Sequence, residues 1–113
     1  QVTTTVHKPV SRLVLGYGIK DRLGQVMYGT NTHHTQQILE NLEAGKQCVF
    51  NIKFPANLGP GTYSVQLALT GGVTHLEQNY EWRDLALIFD VVNTSRILFA
   101  GSAWIEPEIE AVV

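Results

Sequence analysis

The fold class is predicted most directly by residues 62–70, TYSVQLALT. Apolar side chains occupy every second position of this stretch, and mostly polar or small ones lie between them. Because successive side chains of a β-strand point to opposite faces of a sheet, a period of two predicts a strand with one buried face. The side chains expected to point inward are Tyr63, Val65, Leu67 and Leu69. Ser64, Gln66 and Ala68 are expected to point outward.

The same alternation recurs along the chain between glycine and proline residues. Further strands are predicted over residues 2–6, 12–20, 25–31, 47–54 and 85–91. In residues 12–20, the inward side chains are predicted to be Leu13, Leu15, Tyr17 and Ile19. The outward ones are predicted to be Val14, Gly16, Gly18 and Lys20. About seven short strands at a spacing of roughly ten residues are typical of an all-β, immunoglobulin-like antiparallel β-sandwich. We predict one such domain over residues 1–113.

The connecting segments differ in how clearly they can be assigned. Residues 21–24, Asp-Arg-Leu-Gly, place Asp first and Gly last, as a type I turn prefers. Residues 57–61, Asn-Leu-Gly-Pro-Gly, are predicted to form a loop. Residues 35–44 carry apolar positions spaced for one or two helical turns and end at Gly45. This short pattern leaves a helix and an irregular loop equally open.

The composition excludes several classes of protein. The chain has 113 residues, of which 44% are hydrophobic and 16% charged, and its formal net charge is −2. This balance is the opposite of that in disordered chains, and it lacks the excess of Lys and Arg that binds nucleic acid. The single cysteine, Cys48, excludes an internal disulfide and favours a reducing compartment. Its inward register in residues 47–54 predicts a buried thiol.

No constellation for catalysis or metal binding stands out in the sequence. It contains no GxSxG motif, no glycine-rich phosphate loop and no marked pair of carboxylates. The four histidines, His7, His33, His34 and His75, lack the spacing of metal ligands. We therefore predict that the domain is not an enzyme and uses neither a metal nor a cofactor.

Carbohydrate binding agrees better with the outward residues. Planar amides bond sugar hydroxyls, and an aromatic ring packs against the apolar face of a pyranose. Outward Gly16 and Gly18 would leave a flat stretch of sheet, although glycines in strands also mark bulges or close packing. The candidate carbohydrate-binding residues are Asn31, His33, Gln66, Tyr80, Trp82 and Trp104.

Three of these candidates could instead have a structural role. Asn31 follows a strand, where Asn favours turns through side-chain bonds to the backbone. Trp82 could pack into the end of the sandwich, as buried Trp usually does. Trp104 could stack on a sugar or lie in a dimer interface, where Trp is enriched.

Four strings of sequence also occur together in a distinctive order. They are GIKDRLGQ at residues 18–25, YGTNT at 28–32, LGPGTY at 58–63, and YEWRD at 80–84 with FDV at 89–91. In order and spacing they resemble the C-terminal domain of Wzt, the ATPase subunit of bacterial ABC transporters that export O-antigen polysaccharide. The resemblance runs from about His7 to Val91.

The resemblance implies a β-sandwich that binds the finished glycan in the cytoplasm, at its non-reducing terminus or repeat unit, for export. It implies three partners: O-antigen polysaccharide, a second copy of the domain, and a transmembrane permease contacted through an N-terminal ATPase domain. Dimers of the family exchange a C-terminal strand, a role open here to the segment from Ser102 to Ile109. The implied location is cytoplasmic and peripheral to the inner membrane.

The resemblance also predicts that an ATPase domain and a first strand lie outside residues 1–113. These residues contain no Walker A sequence, GxxxxGK[ST], so we expect the ATPase domain to lie outside them. Since one or more strands precede residues 1–6 in the family, we also expect the first strand of the domain to be missing. Two rival hypotheses remain: a structural or dimerisation module without glycan affinity, and a small enzyme with two carboxylates converging in a cleft.

Overall fold

A computed structural model of the chain describes residues 1–71 and 79–113. Every regular element in these two ranges is a β-strand, as the alternating pattern predicted. The strands are β1 (Val2–Thr5), β2 (Val10–Asp21), β3 (Val26–Asn31), β4 (Leu39–Leu42), β5 (Gln47–Phe50), β6 (Gly61–Thr70) and β7 (Asn79–Val91).

The strands form two antiparallel sheets. The smaller sheet pairs β1 with β5. The larger sheet has the order β3-β2-β6-β7, and β4 pairs with the first part of β2 beside this path. β2 and β6 are therefore the central strands, and they are paired over eight residues from Val14↔Thr70 to Asp21↔Tyr63.

A core cluster lies between the two sheets at one end of the molecule and consists of Val6, Leu13, Leu15, Cys48 and Leu69. Ile19, Tyr63 and Val65 are buried toward the other end of the central strands. Leu13 and Leu15 are 3% and 2% exposed, because alternate β2 side chains point at the β1–β5 sheet. The prediction of a buried, unpaired Cys48 is confirmed.

Val14 and Gly18 point to the outward face of β2 as predicted, but neither is exposed there. Val14 is 1% exposed, and Gly18 is also buried. A central strand has neighbours on both edges, so side chains from the next strand can cover its second face as well. The Gln66 side chain lies across Gly18, and Val14 is paired with Thr70, which is itself buried.

Neither a helix nor a purely irregular loop forms over residues 35–44. The segment begins in a turn in which Gln36 has a φ of 59°, and it continues as β4. Leu39 pairs with Leu13 of β2, so sheet pairing overrides the helical spacing of the apolar residues.

The remaining segments follow the sequence more closely. The turn over residues 21–24 is confirmed, since Gly24 N–H donates to the Asp21 carbonyl at 3.0 Å. The predicted strand over residues 47–54 ends early, at Phe50, and residues 51–57 have no regular structure. The last strand is longer than residues 85–91, because β7 begins at Asn79.

Candidate functional site

One face of the larger sheet points away from the β1–β5 sheet, and we call it the outer face. A row of paired residues crosses four strands on this face. Asn31 of β3 pairs with Gly16, Gly16 pairs with Ala68, and Ala68 pairs with Trp82 of β7. Directly opposed residues of antiparallel strands share one face of the sheet. Two small residues therefore separate an amide from an indole ring that is 44% exposed.

A second row lies beside the first. Gly29, Gly18 and Gln66 are opposed across β3, β2 and β6. The Gln66 side chain crosses the backbone of Gly18, where an added Cβ would lie 3.1 Å from Nε2 and 3.2 Å from Cγ. Glycine at position 18 thus leaves the space in which the Gln66 amide lies.

A third set of side chains brings charge to the outer face. Lys20 pairs with Ser64, and the Lys20 ammonium lies 3.7 Å from the carboxylate of Asp84. The Trp82 indole N–H donates to Asp84 Oδ1 at 3.2 Å. Asp84 therefore connects the Trp82 row to Lys20.

β7 bulges away from β6 beside Gln66. The β6 residues on either side of Gln66 pair with Leu87 and Arg83, so residues 84–86 all lie opposite Gln66. Leu85, in the middle of this bulge, has a φ of 50°. That left-handed conformation is uncommon for a residue with a branched side chain, and such strain is found preferentially at binding sites.

The bulge opens a depression on the outer face, which we call the bulge groove. Its volume is about 340 Å³, within the range of roughly 300–1,000 Å³ typical of small-molecule sites. Its lining includes Lys20, Ser64, Gln66, Asp84, Leu85 and Ile88.

The structure thus brings together three of the six predicted site residues, Asn31, Gln66 and Trp82. Asn31 also serves the turn that follows β3, because its Oδ1 accepts the His34 backbone N–H at 2.9 Å. The turn interpretation of Asn31 is therefore confirmed, and its side-chain amide remains at the edge of the outer face.

The other three predicted residues lie elsewhere. Tyr80 packs against the core, and its hydroxyl donates to the Arg12 carbonyl at 3.2 Å. Trp104 lies on the C-terminal segment, with the Arg96 guanidinium 5.0 Å from its ring centroid. His33 lies in the turn after β3, with its ring edge-on to that of His34.

Sequence reasoning missed Ser64, Lys20 and Asp84 as parts of the site. Ser64 and Lys20 were predicted to point outward, so the period of two already placed them on the correct face. Asp84 follows Trp82 by two residues, which gives the same indication. The bulge itself had no counterpart in the pattern, because residues 79–91 were not recognised as one strand.

Comparison with known proteins assigns the chain to a family. The sequence profile of the family described as the Wzt C-terminal domain matches residues 1–105. The chain belongs to the Wzt C-terminal domain family. This family is linked to O-antigen ABC transporters, and the resemblance inferred from the four strings is confirmed.

A solved structure shows the Wzt C-terminal domain fold directly. The match is to the crystal structure of the C-terminal domain of Wzt, with a TM-score of 0.81 at 21% sequence identity. It covers 97% of this chain and 66% of that one. At this identity the likeness establishes the fold, and the predicted β-sandwich is confirmed. Among curated proteins, none matches the chain in sequence.

The strings that carried the resemblance to Wzt lie around the outer face. The first covers the end of β2 and its turn, and the second covers the end of β3 with Asn31. YEWRD contributes Trp82 and Asp84. Some of the residues that carry the family resemblance are thus also residues of the outer face.

The C-terminal segment of this Wzt domain is attached at its beginning. Ala103 forms a β-bridge with Leu58, and the Trp104 N–H donates to the Asn57 carbonyl at 2.9 Å. Beyond this point the chain is exposed, with Ile105 and Ile109 at 80% and 88%. The segment from Ser102 to Ile109, which is predicted to exchange between two copies, is therefore paired with the rest of the chain through its first three residues.

A cluster of metal ligands or a membrane-spanning helix would indicate a different function. Among residues 1–71 and 79–113, no set of three or more His, Cys, Asp or Glu side chains is arranged to hold a metal ion. His75 lies outside the described residues. No helix in the described part of the chain is long and apolar enough to cross a membrane.

Proposed function

We propose that this domain binds O-antigen polysaccharide on its outer face and holds the finished glycan for export by an ABC transporter. The observation that carries the proposal is the alignment of Asn31, Gln66 and Trp82 on one sheet face, over Gly16 and Gly18. Membership in the Wzt C-terminal domain family supports the same function.

The chemistry of the outer face suits a sugar chain. The Trp82 ring offers an exposed aromatic surface for the apolar side of a pyranose. The side-chain amides can donate hydrogen bonds to sugar hydroxyls and accept hydrogen bonds from them, and the carboxylate can accept them. The Gln66 amide lies over Gly18, so a polymer that crosses the strands there would meet this amide instead of bare backbone.

Size arguments predict weak binding per sugar. A sugar ring has about eleven heavy atoms, and at about 0.3 kcal/mol per atom it contributes roughly 3 kcal/mol. Two engaged sugars then correspond to a dissociation constant on the order of 10 μM. Two linked domains would raise the retention of a polymer through effective concentration.

A homodimer formed by exchange of the segment from Ser102 to Ile109 is part of the proposal. Ile105 and Ile109 are almost fully exposed in the single chain, and Leu87 and Tyr28 are about half-exposed, at 58% and 52%. Exposed apolar surface on both the segment and the sheet favours a second copy as the partner.

The remaining partners belong to the whole transporter. We propose that an ATPase domain connects this domain to the transmembrane permease, and that the domain lies in the cytoplasm at the inner membrane. The family assignment supports this arrangement.

The test is a calorimetric titration with O-polysaccharide from the source strain, with polysaccharide of a different serotype as the control. Saturable binding to the first polysaccharide alone is expected. Trp82→Ala should weaken binding about tenfold, because the aromatic contact is lost. Trp104→Ala is the comparison, since it removes the other tryptophan of the chain, on the C-terminal segment, and the two variants are compared as monomers.

Other outcomes would indicate a different binding site or a different function. If Trp104→Ala abolishes binding and Trp82→Ala does not, the site lies on the C-terminal segment. Absence of binding by folded protein would favour the structural and dimerisation module. Sedimentation of the chain with and without residues 102–113 tests the dimer, and a monomer in both cases would contradict strand exchange.

A further inference from the structure

The bulge groove contains a polar atom whose hydrogen-bonding capacity is unused. Gln66 Oε1 is buried, and it has no hydrogen-bond partner among the described residues. A buried acceptor without a donor is costly, and such groups are rare in native structures. Gln66 also lines the groove, so a rotation of its side chain would present Oε1 to a ligand hydroxyl there, which could supply the missing donor.

The backbone around Gln66 is shaped in a way that packing alone does not explain. Residues 84–86 bulge opposite this one residue, and Leu85 has a positive φ of 50°. Leu85 is 64% exposed, so burial of its side chain does not compensate for the conformation. Bulges next to binding sites redirect side chains, and here the bulge widens the space beside the Gln66 amide.

The charges that line the groove balance. Lys20 and Arg22 are cationic, and Asp21 and Asp84 are anionic. Asp21 is committed to its own turn, where Oδ1 accepts backbone N–H groups of residues 23 and 25, both at 2.9 Å. The Lys20 ammonium and the Asp84 carboxylate face each other at 3.7 Å. The groove therefore offers donors and acceptors without a net charge.

We propose that the bulge groove is the subsite of the outer face that holds one uncharged pyranose residue. One sugar hydroxyl donates to Gln66 Oε1, and neighbouring hydroxyls bond Asp84, Lys20 and Ser64. The volume of about 340 Å³ suits one ring, because it lies near the lower end of small-molecule sites at roughly 300 Å³. The proposal rests on the proposed glycan-binding function and specifies the sugar class.

The same geometry disfavours acidic sugars. A uronic acid beside Gln66 would bring its carboxylate close to Asp84, whose charge already faces the Lys20 ammonium. Like charges at such separations repel, and the repulsion grows as water is excluded.

Chemical-shift mapping by NMR tests the sugar class. The probes are the methyl glycosides of mannose, glucose and galactose, compared with glucuronic and galacturonic acids. At least one neutral glycoside should shift the backbone amides of Ser64, Gln66 and Leu85 saturably, at millimolar concentration. Shifts confined to Asn31 and Trp82, or equal shifts with the acids, would overturn the proposal.

Variants test the role of Gln66 in polysaccharide binding. Gln66→Ala should weaken the affinity about tenfold, and Gln66→Glu should weaken it further by placing a second carboxylate near Asp84. Gly18→Ala should weaken it about threefold, because the new Cβ displaces the amide. Gln47→Ala is the matched control, since it removes an exposed glutamine side chain from β5 of the smaller sheet.

The outcomes separate this subsite from the proposed function. If the polysaccharide binds and all three groove variants keep wild-type affinity, the subsite is wrong and the proposed function stands. If neutral glycosides shift the groove amides but the polysaccharide does not bind, the subsite is supported and the export function is overturned. Absence of both signals, with folded protein, overturns both.

Discussion

The two ends of the sandwich contrast in how their inner faces are covered. At the packed end, the β1–β5 sheet covers Leu13, Leu15 and Leu69, and each is less than a tenth exposed. At the open end, Tyr28 and Leu87 point to the same side of the larger sheet, and each is more than half exposed. The inner residues of the central strands are buried at both ends, since Ile19 and Val65 at the open end are 3% and 8% exposed. The difference therefore lies in how the edge strands β3 and β7 are covered.

Strand length explains the contrast. β1 and β5 have 4 residues each, whereas β2 has 12. At about 3.3 Å per residue, the small sheet covers about 13 Å of a strand about 40 Å long. Beyond Phe50, the chain that covers the larger sheet is irregular. Within it, the Phe54 ring stacks on the Tyr17 ring, with 6.1 Å between the ring centroids. The lesson is that an alternating pattern identifies an inward face but does not guarantee that it is covered.

Truncation of one leucine at each end should sharpen this contrast most. Leu15→Ala should lower the free energy of unfolding by about 3 kcal/mol, because it leaves a cavity in the packed core. Leu87→Ala should lower it by less than about 1 kcal/mol, because its side chain is half-exposed. Urea denaturation of a dilute sample measures both values. Equal losses would show that the open end is covered in solution.

The second prediction concerns the attachment of the C-terminal segment at the open end. A Cβ at Gly59 would collide with the carbonyl oxygen of Gly101, so Gly59→Ala should displace the segment and cost about 2 kcal/mol. Gly16→Ala is the control, because its Cβ has ordinary contacts of 3.7 Å and should be neutral or slightly stabilising. Thermal unfolding and Trp104 fluorescence report the result, and an unchanged Gly59→Ala spectrum would contradict it.

At the packed end, a side chain completes the backbone bonding of β2. The Leu15 N–H donates to Thr32 Oγ1 at 3.0 Å, and the Thr32 N–H donates to the Leu15 carbonyl at 2.8 Å. Thr32→Val keeps the shape and removes the acceptor, and should cost about 1 kcal/mol. Thr3→Val, at an exposed position of β1, is the control for the general effect of the replacement. Equal unfolding midpoints for the two variants would rule out a structural role for this bond.

The smallest effect should be a pH dependence at the boundary between the two ends. Burial raises the pKa of Tyr17 above its ordinary value of 10.0, and the nearby Tyr28 adds to the rise. Because the folded state disfavours the phenolate, its contribution to stability is present below about pH 10 and is lost as pH rises through the folded pKa. Tyr17→Phe should flatten the loss between pH 9 and 11 in urea titrations. An identical slope in the variant would assign the loss to other groups.

The outer face shows how far site prediction can go from sequence. The period of two placed Gln66 on this face, and pairing then brought Asn31 and Trp82 into one row with the glycines. Tyr80 carried the same aromatic character, yet it packs against the core. Sequence alone could not separate these aromatics, because the burial of a side chain depends on which strand lies opposite.

Local patterns were enough to predict the strands β2 and β6, the turn after Asp21, the inward thiol of Cys48 and the family. Each of these depends on local alternation, on turn chemistry or on ordered strings of residues. The three-dimensional fold was needed to show that residues 39–42 form a strand, that Val14 is buried on the second face, and that β7 bulges beside Gln66. These features could not be predicted because pairing partners and covering layers come from distant parts of the chain, and they can override what neighbouring residues prefer.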